Sequence, residues 1–337
     1  MSAGFKQVTV NASDVPSTQT NFPAYFDPSR AGTTGIADVN SGRVYADSGK
    51  VVEWASEPVG ESEVHALVPS LTSTVTLFYD WDGVRSAYAT TATYGAEAVW
   101  GDLALVNHFE TGATDSSGNN TATVSNGRIF SGTTNFAIGE GADLQNNDYC
   151  YFTDTGFPTG NQARTLSFWV DNVDVGNSRY LFAAGEYATN KLFAFDMGSV
   201  GNLVRIVGYG NDWSTNFVFS TGTKYKIDVG HDGSTLRLYV NGSLQDSETS
   251  VTFNTTLDKA TVGSWSDGVG GAERLFAKTD LDELRYKQGV NTANWITTEY
   301  NNQNDEATFW GTWTDAGGGG FVASPLMHMM AQSGGLM

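Results

Sequence analysis

The chain has 337 residues, 40% of them hydrophobic and 12% aromatic, which is enough for about two packed domains and excludes intrinsic disorder for most of its length. Only 16% of the residues are charged and 39 are glycine, a composition that favours short strands and many turns. The 18 Lys and Arg residues against 37 Asp and Glu residues give a net charge of −19, so nucleic acid and anionic membrane surfaces are not expected partners.

Targeting and redox signals are sparse in this sequence. Cys150 is the one cysteine, so an internal disulfide is excluded. The first ten residues lack the apolar run of a signal peptide, and no apolar run reaches the ~18 residues of a membrane span. We therefore expect a protein made in the cytosol without an export signal and without membrane insertion.

The first part of the chain predicts a small β-sandwich domain over residues 1–97. Short alternating runs, bounded by turn-forming residues, indicate strands and not helices. The predicted strands are Phe5–Asn11, Phe22–Phe26, Val51–Trp54, Glu63–Val68 and Thr74–Tyr79. The joint to the next domain is expected at about residues 95–101.

Residues 98–313 predict a second, larger all-β domain. Its clearest strand is Thr235–Val240, where Leu236, Leu238 and Val240 face one way between two turn signals. Strands at this spacing are typical of a sandwich. The other predicted strands are Thr165–Val170, Tyr180–Ala184, Lys191–Asp196, Leu203–Gly208, Asn216–Ser220, Tyr225–Val229, Ala260–Val262 and Leu281–Tyr286.

The C-terminal part predicts one short helix and then a tail. Thr292–Asn301 has helical spacing and a capping residue at its start. Residues 314–337 are expected to form a glycine-rich hinge followed by an apolar, methionine-rich segment that docks into a groove on a neighbouring subunit or another protein of an assembly. The alternative is a disordered end. The predicted docking residues are Phe321, Leu326, Met327, Met329 and Met330.

Several segments of the second domain resemble laminin-G-like, concanavalin A-like jelly-roll modules. They are Leu105–Glu110 with Asp115–Asn119, Thr165–Val170, Leu236–Gly242, Leu281–Tyr286 and the helix Trp295–Gln303. Their order implies a jelly-roll sandwich over about 200 residues, a fold that hosts lectins, hydrolases and adhesion modules. Residues 68–79 of the first domain resemble, more loosely, an uncharacterised small β domain that often precedes such modules.

The resemblance to lectin-like modules implies a glycan site built from loop aromatics and polar side chains. The stretch Tyr209–Trp213 is the most suggestive, because two aromatic residues flank a Gly-Asn-Asp turn. The alternative is that each ring packs a loop against the edge of the sandwich. The candidate glycan-binding residues are Tyr187, Tyr209, Asn211, Asp212, Trp213 and Trp265.

Related jelly rolls often hold calcium between the loop after the opening strand and an aspartate of the closing strand. The matching positions are Asp115 and Asp282, so calcium is the expected cofactor if one is bound. The alternative is an Asx turn at Asp115 and pairing of Asp282 with Arg285.

The sequence predicts neither a zinc site nor an enzyme. The histidines His65, His108, His231 and His328 lie far apart without metal-ligand spacing, and each is expected to be structural. The alternating carboxylates that jelly-roll glycoside hydrolases carry are missing, because Leu284 occupies the position after Asp280 and Asp282.

Modules in this pairing occur in phage structural proteins and in secreted prokaryotic surface proteins. The expected function is therefore a tail-fibre-like or spike-like protein of a phage virion, with a lectin-like module for host-surface glycans. The expected partners are other virion proteins, host glycans and further copies of the chain in a homo-oligomer. The alternatives are a purely architectural virion protein and a prokaryotic surface adhesin.

Overall fold

A computed structural model describes residues 3–110, 112–125, 133–134, 136, 138–145, 148–174, 179–200, 203–266 and 273–317. Within these ranges the regular structure is mainly β-strand, arranged as two packed domains. No helix among the described residues has the length and apolar character needed to cross a membrane. The predicted tail residues 321–337 lie outside the described residues.

The first domain is a small sandwich of two antiparallel sheets. One sheet has the strand order β25-β1-β7-β3-β4, where β25 comes from the far end of the chain, and the other has the order β2-β6-β5. The strands are β1 (Gly4–Thr9), β2 (Gln19–Phe26), β3 (Arg43–Tyr45), β4 (Glu53–Trp54), β5 (Ser56–Val59), β6 (Glu63–Leu71), β7 (Thr76–Trp81) and β25 (Thr314–Asp315).

The end of the chain completes the core of this first domain. Phe309 and Trp310 are fully buried in a cluster with Phe22, Phe26 and Tyr79. The indole of Trp310 donates a hydrogen bond of 2.7 Å to the carbonyl of Tyr25. Phe309 and Trp310 lie within residues 98–313, the predicted second domain, but they pack in the first core, a long-range contact that no local sequence pattern indicates.

The second domain is a larger antiparallel sandwich. Its first sheet has the order β10-β11-β24-β13-β18-β19-β20, with β8 also paired to β24, and its second sheet has the order β17-β16-β15-β14-β21-β12-β9. A separate hairpin joins β22 and β23. The strands are β8 (Leu105–Asn107), β9 (Ala122–Ser125), β10 (Thr133–Thr134), β11 (Glu140–Leu144), β12 (Tyr149–Phe152), β13 (Arg164–Asp171), β14 (Tyr180–Gly185), β15 (Leu192–Val200), β16 (Leu203–Val207), β17 (Trp213–Ser214), β18 (Tyr225–His231), β19 (Thr235–Val240), β20 (Ser243–Thr249), β21 (Ala260–Val262), β22 (Trp265–Ser266), β23 (Glu273–Arg274) and β24 (Thr279–Gln288).

The core of the second domain lies between its two large sheets. On β15, Phe193 and Phe195 point into this core, whereas Leu192 and Ala194 belong to a smaller apolar cluster on the outer face. This alternation follows from the two-residue period of a strand. The seven-stranded sheet therefore carries apolar side chains on both faces.

Helices are short and lie at the edges of the sheets. The longest, α3, begins after Thr292, whose side chain accepts a hydrogen bond from the Trp295 amide, as the capping prediction requires. The helices are α1 (Ile36–Asn40), α2 (Ala96–Val99), α3 (Ala293–Asn304) and α4 (Glu306–Trp310), with 3₁₀ turns at Ala12–Asp14 and Pro28–Ala31.

The structure confirms the all-β class, the jelly-roll sandwich preceded by a smaller β-sandwich, and the C-terminal helix. Thr235–Val240 and Ala260–Val262 have the predicted bounds. The strand predicted at Asn216–Ser220 is wrong, because only Trp213–Ser214 pairs with β16, and the following residues form a loop whose rings Phe217 and Phe219 pack on Tyr225.

The two domains pack through the outer faces of β6 and the eight-stranded sheet. On β6, Val64, Ala66 and Val68 face the first core, so Glu63 and His65 face the second domain. A small apolar cluster lies at the same junction, formed by Ala55, Val99, Trp100 and Val106 with Leu67. The contact between the domains thus combines apolar and charged groups.

Candidate functional site

Three of the predicted glycan-binding aromatics meet on the outer face of the seven-stranded sheet. The ring of Tyr187 lies 4.2 Å from that of Tyr209 and 4.1 Å from that of Trp265, measured between centroids. Tyr180 extends the group from β14, at 5.7 Å from Trp265. These four rings form the aromatic face, as we call it below.

Within the aromatic face, Tyr209 is the most exposed residue and has an unusual backbone conformation. Tyr209 is 37% exposed, whereas Trp265 is 9% exposed and packs edge-on against Tyr187. Tyr209 has φ of 56°, a left-handed conformation that is rare for a bulky residue and costs on the order of 1–3 kcal/mol. The loop therefore holds an exposed aromatic ring in place at an energetic cost.

The predicted polar residues hold this loop. The side chain of Asn211 donates a hydrogen bond of 2.5 Å to the carbonyl of Thr252. Asp212 accepts a hydrogen bond of 3.1 Å from the Gly208 amide, and its carboxylate lies 3.9 Å from Arg205. Arg205 also pairs with Asp196 at 2.7 Å on the same face of the sheet. Charged and amide groups therefore surround the aromatic face.

Trp213 lies apart from this group. Its side chain is 7% exposed and packs in the core between the two large sheets, on the opposite side of its strand from the aromatic face. The structure thus assigns Trp213 to packing, which was the alternative for each ring. A side chain in this position has no free face on which a sugar can stack.

The predicted calcium ligands Asp115 and Asp282 make backbone contacts. Asp115 accepts hydrogen bonds from the amides of Val106, Ser117 and Asn120, which is the Asx-turn arrangement. Asp282 is fully buried and accepts a hydrogen bond of 2.7 Å from the Glu283 amide. Calcium at this pair stays a prediction.

A second group of polar side chains lies buried between the domains. Glu63 and His65 come from β6 of the first domain, His108 follows β8, and Glu283 lies on β24. Each offers a potential metal-ligating atom, and these atoms lie within 4.8 Å of one another. We call these four residues the interface group.

A bulge in β24 brings Glu283 into the interface group. The pairing of β13 with β24 shifts between Ser167 and Trp169, and Glu283 has φ of 52° at this point. Leu281 and Leu284 both face the core as a result, so Asp282 and Glu283 together face outward. Because of the bulge, the Leu284 side chain lies in the core, at the position where the alternating acids Asp280 and Asp282 end.

Aromatic and polar neighbours hold the two histidines. The rings of His65 and His108 stack at 4.8 Å, and Trp100 packs edge-on against His65 at 5.1 Å. Nε2 of His108 contacts Glu57 at 3.1 Å, and Glu57 also accepts hydrogen bonds from Ser116 and Trp100. The rings therefore have defined orientations.

The charges in the interface group shift one another's pKa values. Burial alone would lower the pKa of His108, but the carboxylates of Glu283, Glu57 and Glu63 outweigh it and raise that pKa well above the ordinary value. Burial opposes ionisation of Glu283 as well, yet His108 and Arg285 hold its pKa well below the ordinary value. Burial and repulsion by Glu283 raise the pKa of Asp282.

A surface cleft of about 260 Å³ leads to the interface group. His108, Glu57 and Glu110 line it together with the exposed turn at Gly60. Burial and repulsion by Glu63 and Glu140 raise the pKa of Glu110 to about 7. Solvent species can thus approach His108 from one side.

His65 and His108 are buried and hydrogen-bonded, as expected of structural histidines, but the sequence analysis did not predict that they lie together. They are 43 positions apart in sequence, and Glu283 lies in a third segment, so no linear metal motif exists. The one local signal was Glu63-Val64-His65 on a predicted strand, because residues two apart share a face. His231, in contrast, contacts the Val251 carbonyl at 3.0 Å and is structural.

No protein-family model and no curated protein matches the chain. Among solved structures, the chain is similar to domain 4 of AbnA, a GH43 extracellular arabinanase from Geobacillus stearothermophilus, in complex with arabinotriose. The identity is 21% and the TM-score is 0.47, and the match covers 58% of this chain and 97% of that one. It is also similar to the botulinum neurotoxin serotype D binding domain, at 14% identity and a TM-score of 0.48, covering 62% and 53%. A third similar structure is the binding domain of Paraclostridial Mosquitocidal Protein 1, at 15% identity and a TM-score of 0.45, covering 63% and 55%. This chain thus spans about half the length of the two toxin domains, and likenesses at these scores support no conclusion about function.

Proposed function

We propose that this protein binds carbohydrate on the aromatic face of its second domain. The observation that carries the proposal is the exposed ring of Tyr209, held in a left-handed backbone conformation against Tyr187. A strained backbone that holds an aromatic ring in solvent is unfavourable in a loop that only covers a sheet. A ligand that contacts the Tyr209 ring would account for this conformation.

The chemistry of the aromatic face suits a sugar. A pyranose ring has an apolar face that stacks on tyrosine and hydroxyl groups that form hydrogen bonds with carboxylate, amide and guanidinium groups. Asp212 lies in the same loop as Tyr209, and Asp212 and Arg205 both lie near Tyr180, so an acceptor and a donor are close to the aromatic face. The proposed ligand is thus a glycan that stacks on Tyr209.

The test is a glycan array with the full chain, followed by calorimetry on the glycans that bind. Tyr209→Asn removes the ring and keeps a residue that tolerates the left-handed backbone. We expect it to weaken binding by at least about 10-fold, or about 1.4 kcal/mol, with little change in thermal stability. Tyr209→Phe should retain most of the affinity.

Tyr151→Ala serves as the control, because this tyrosine lies on β12 outside the aromatic face and packs near Lys259. It should leave glycan affinity unchanged. Absence of binding to any glycan on the array, or equal affinity for the wild type and Tyr209→Asn, would refute the proposal.

For the biological setting, we infer that the protein is a tail-fibre-like or spike-like component of a phage virion and attaches it to host glycans. The support is the resemblance of the two-domain pairing to phage structural proteins. Other virion proteins and further copies of the chain are its proposed partners. Mass spectrometry and imaging of purified particles test this inference. A position on projecting fibres supports it, a regular array on capsid or tail tube indicates an architectural role, and absence from particles favours a prokaryotic adhesin.

A further inference from the structure

The interface group has the spacing of a metal site. A cation about 2.0–2.2 Å from four tetrahedral ligands keeps the ligand atoms roughly 3.4 Å apart. The separations are 2.7 Å from His65 Nε2 to Glu63 Oε1, 3.1 Å from His108 Nδ1 to the same oxygen, and 3.7 Å from His65 Nε2 to Glu283 Oε1, and His108 Nδ1 is in direct hydrogen-bond contact with Glu283 Oε1. An ion would replace these contacts, with the side chains of His108 and Glu283 moving apart.

Buried polar atoms at this junction lack partners among the described residues. Oε2 of Glu63 and Oδ2 of Asp282 accept no hydrogen bond, and Nδ1 of His65 is also unpaired, although all three residues are fully buried. Native structures satisfy the great majority of such groups. A cation bound beside Glu63 would satisfy its unpaired oxygen.

The acids at the junction outnumber the permanent cations. Glu57, Glu63 and Glu283 are buried here, and in the described part of the chain Arg285 is the one arginine or lysine that forms an ion pair with any of them. Arg285 is shared with Glu299, at 2.6 Å. A divalent cation would offset this excess of negative charge.

Two of the ligand side chains, His108 and Glu283, also have outer contacts of the kind that metal ligands make. Nε2 of His108 contacts Glu57, which leaves Nδ1 facing Glu63 and Glu283. The second oxygen of Glu283 contacts Arg285. A carboxylate behind a ligating imidazole fixes its orientation and raises its basicity.

The donor set selects the class of ion. Two imidazole nitrogens and two carboxylate oxygens suit zinc and neighbouring divalent transition metals, whereas calcium prefers six to eight oxygen ligands. Four protein ligands fill a tetrahedral shell, which is typical of structural and not catalytic sites.

We propose that the interface group binds one divalent transition-metal ion of the zinc class, and that this ion joins the two domains. Glu63 and His65 are the ligands from the first domain, and His108 and Glu283 are those from the second. The site is independent of the aromatic face, so loss of glycan binding leaves it unaffected.

The test uses the full chain, freed of metal with a chelator and desalted. Titration with Co²⁺ should give the visible absorption of a tetrahedral site at one equivalent, and Zn²⁺ should displace the cobalt. Ca²⁺ at the same concentration should not displace it. No stoichiometric binding of Co²⁺, Zn²⁺ or Mn²⁺ at micromolar concentration would overturn the proposal.

Variants identify the ligands. Glu63→Gln and His65→Gln should each weaken Zn²⁺ binding by more than about 100-fold, because loss of a ligand exceeds the 10–100-fold effect of losing an outer contact. His231→Gln, a buried histidine in the second domain away from the interface group, should leave Zn²⁺ affinity unchanged. Unchanged affinity in folded Glu63→Gln protein would contradict the assignment.

If the variants do not fold, NMR of the wild-type protein tests whether two histidines bind the metal. The chain has four histidines, so their side-chain nitrogen signals can be followed individually. Zn²⁺ should shift the signals of two imidazoles and leave that of His231, identified with its variant, in place. Binding without a shift of two imidazole signals would overturn the proposal.

Discussion

Substitution of Trp310 tests whether the C-terminal segment stabilises the core of the first domain. Its ring is fully buried beside Phe309 in that core, although more than 200 residues separate it from β7. Its indole donates to the Tyr25 carbonyl, which also accepts a hydrogen bond of 2.8 Å from Asn302. We expect Trp310→Ala to destabilise the first domain.

The expected loss follows from the buried volume and the hydrogen bond. Replacing a fully buried tryptophan by alanine costs about 3–5 kcal/mol, because a cavity forms. Trp310→Phe keeps most of the ring, and the Tyr25 carbonyl retains Asn302 as a donor, so its cost should be about 1–2 kcal/mol. For a domain of this size, a loss of ~4 kcal/mol lowers Tm by on the order of 20 °C.

Hydrogen exchange read by mass spectrometry at increasing urea resolves the two domains. In Trp310→Ala, peptides from β2 and β6 should lose several kcal/mol of protection before those from β13 and β18. Phe253→Ala, a buried ring of the second core, should give the reverse pattern. If β2 and β6 keep wild-type protection in Trp310→Ala, the C-terminal segment does not hold the first core.

Two further predictions concern buried charges. Burial raises the pKa of Glu306 to about 7 despite its contact with Arg30, so between about pH 4.5 and 7 the folded state holds a proton that the unfolded state has lost. The free energy of unfolding should therefore fall by on the order of 3 kcal/mol as the pH rises through that range. In urea titrations, Glu306→Gln should remove this part of the pH dependence, whereas the control Glu248→Gln, at an exposed position, should keep it. Lys226 is fully buried and its ammonium group lies 3.3 Å from Asp228 and 3.0 Å from Glu299. Lys226→Met should therefore lower the free energy of unfolding in urea by about 3–5 kcal/mol, whereas Lys191→Met, at an exposed ion pair, should lower it by less than about 1 kcal/mol. Equal losses in the two variants would show that burial of the pair does not set the cost.

Local patterns were sufficient to predict most of the strands and the fold class. Alternation with a period of two and the flanking turn residues placed β13, β18, β19 and β24, because these signals act within a few residues. The aromatic face was predicted in part. Tyr187, Tyr209 and Trp265 lie together, but the direction of the Trp213 ring depends on which face of its strand meets the core.

The sequence by itself determined an acidic, all-β chain of two domains with a capped C-terminal helix, since composition, alternation and capping are local properties. Only the tertiary structure decided which distant segments meet. It brought α4 and β25 back to the first core, and it placed His65, His108 and Glu283 in one buried group through domain packing and a bulge in β24. Such contacts depend on the complementarity of two surfaces that are distant in sequence, and a local sequence pattern does not specify that complementarity.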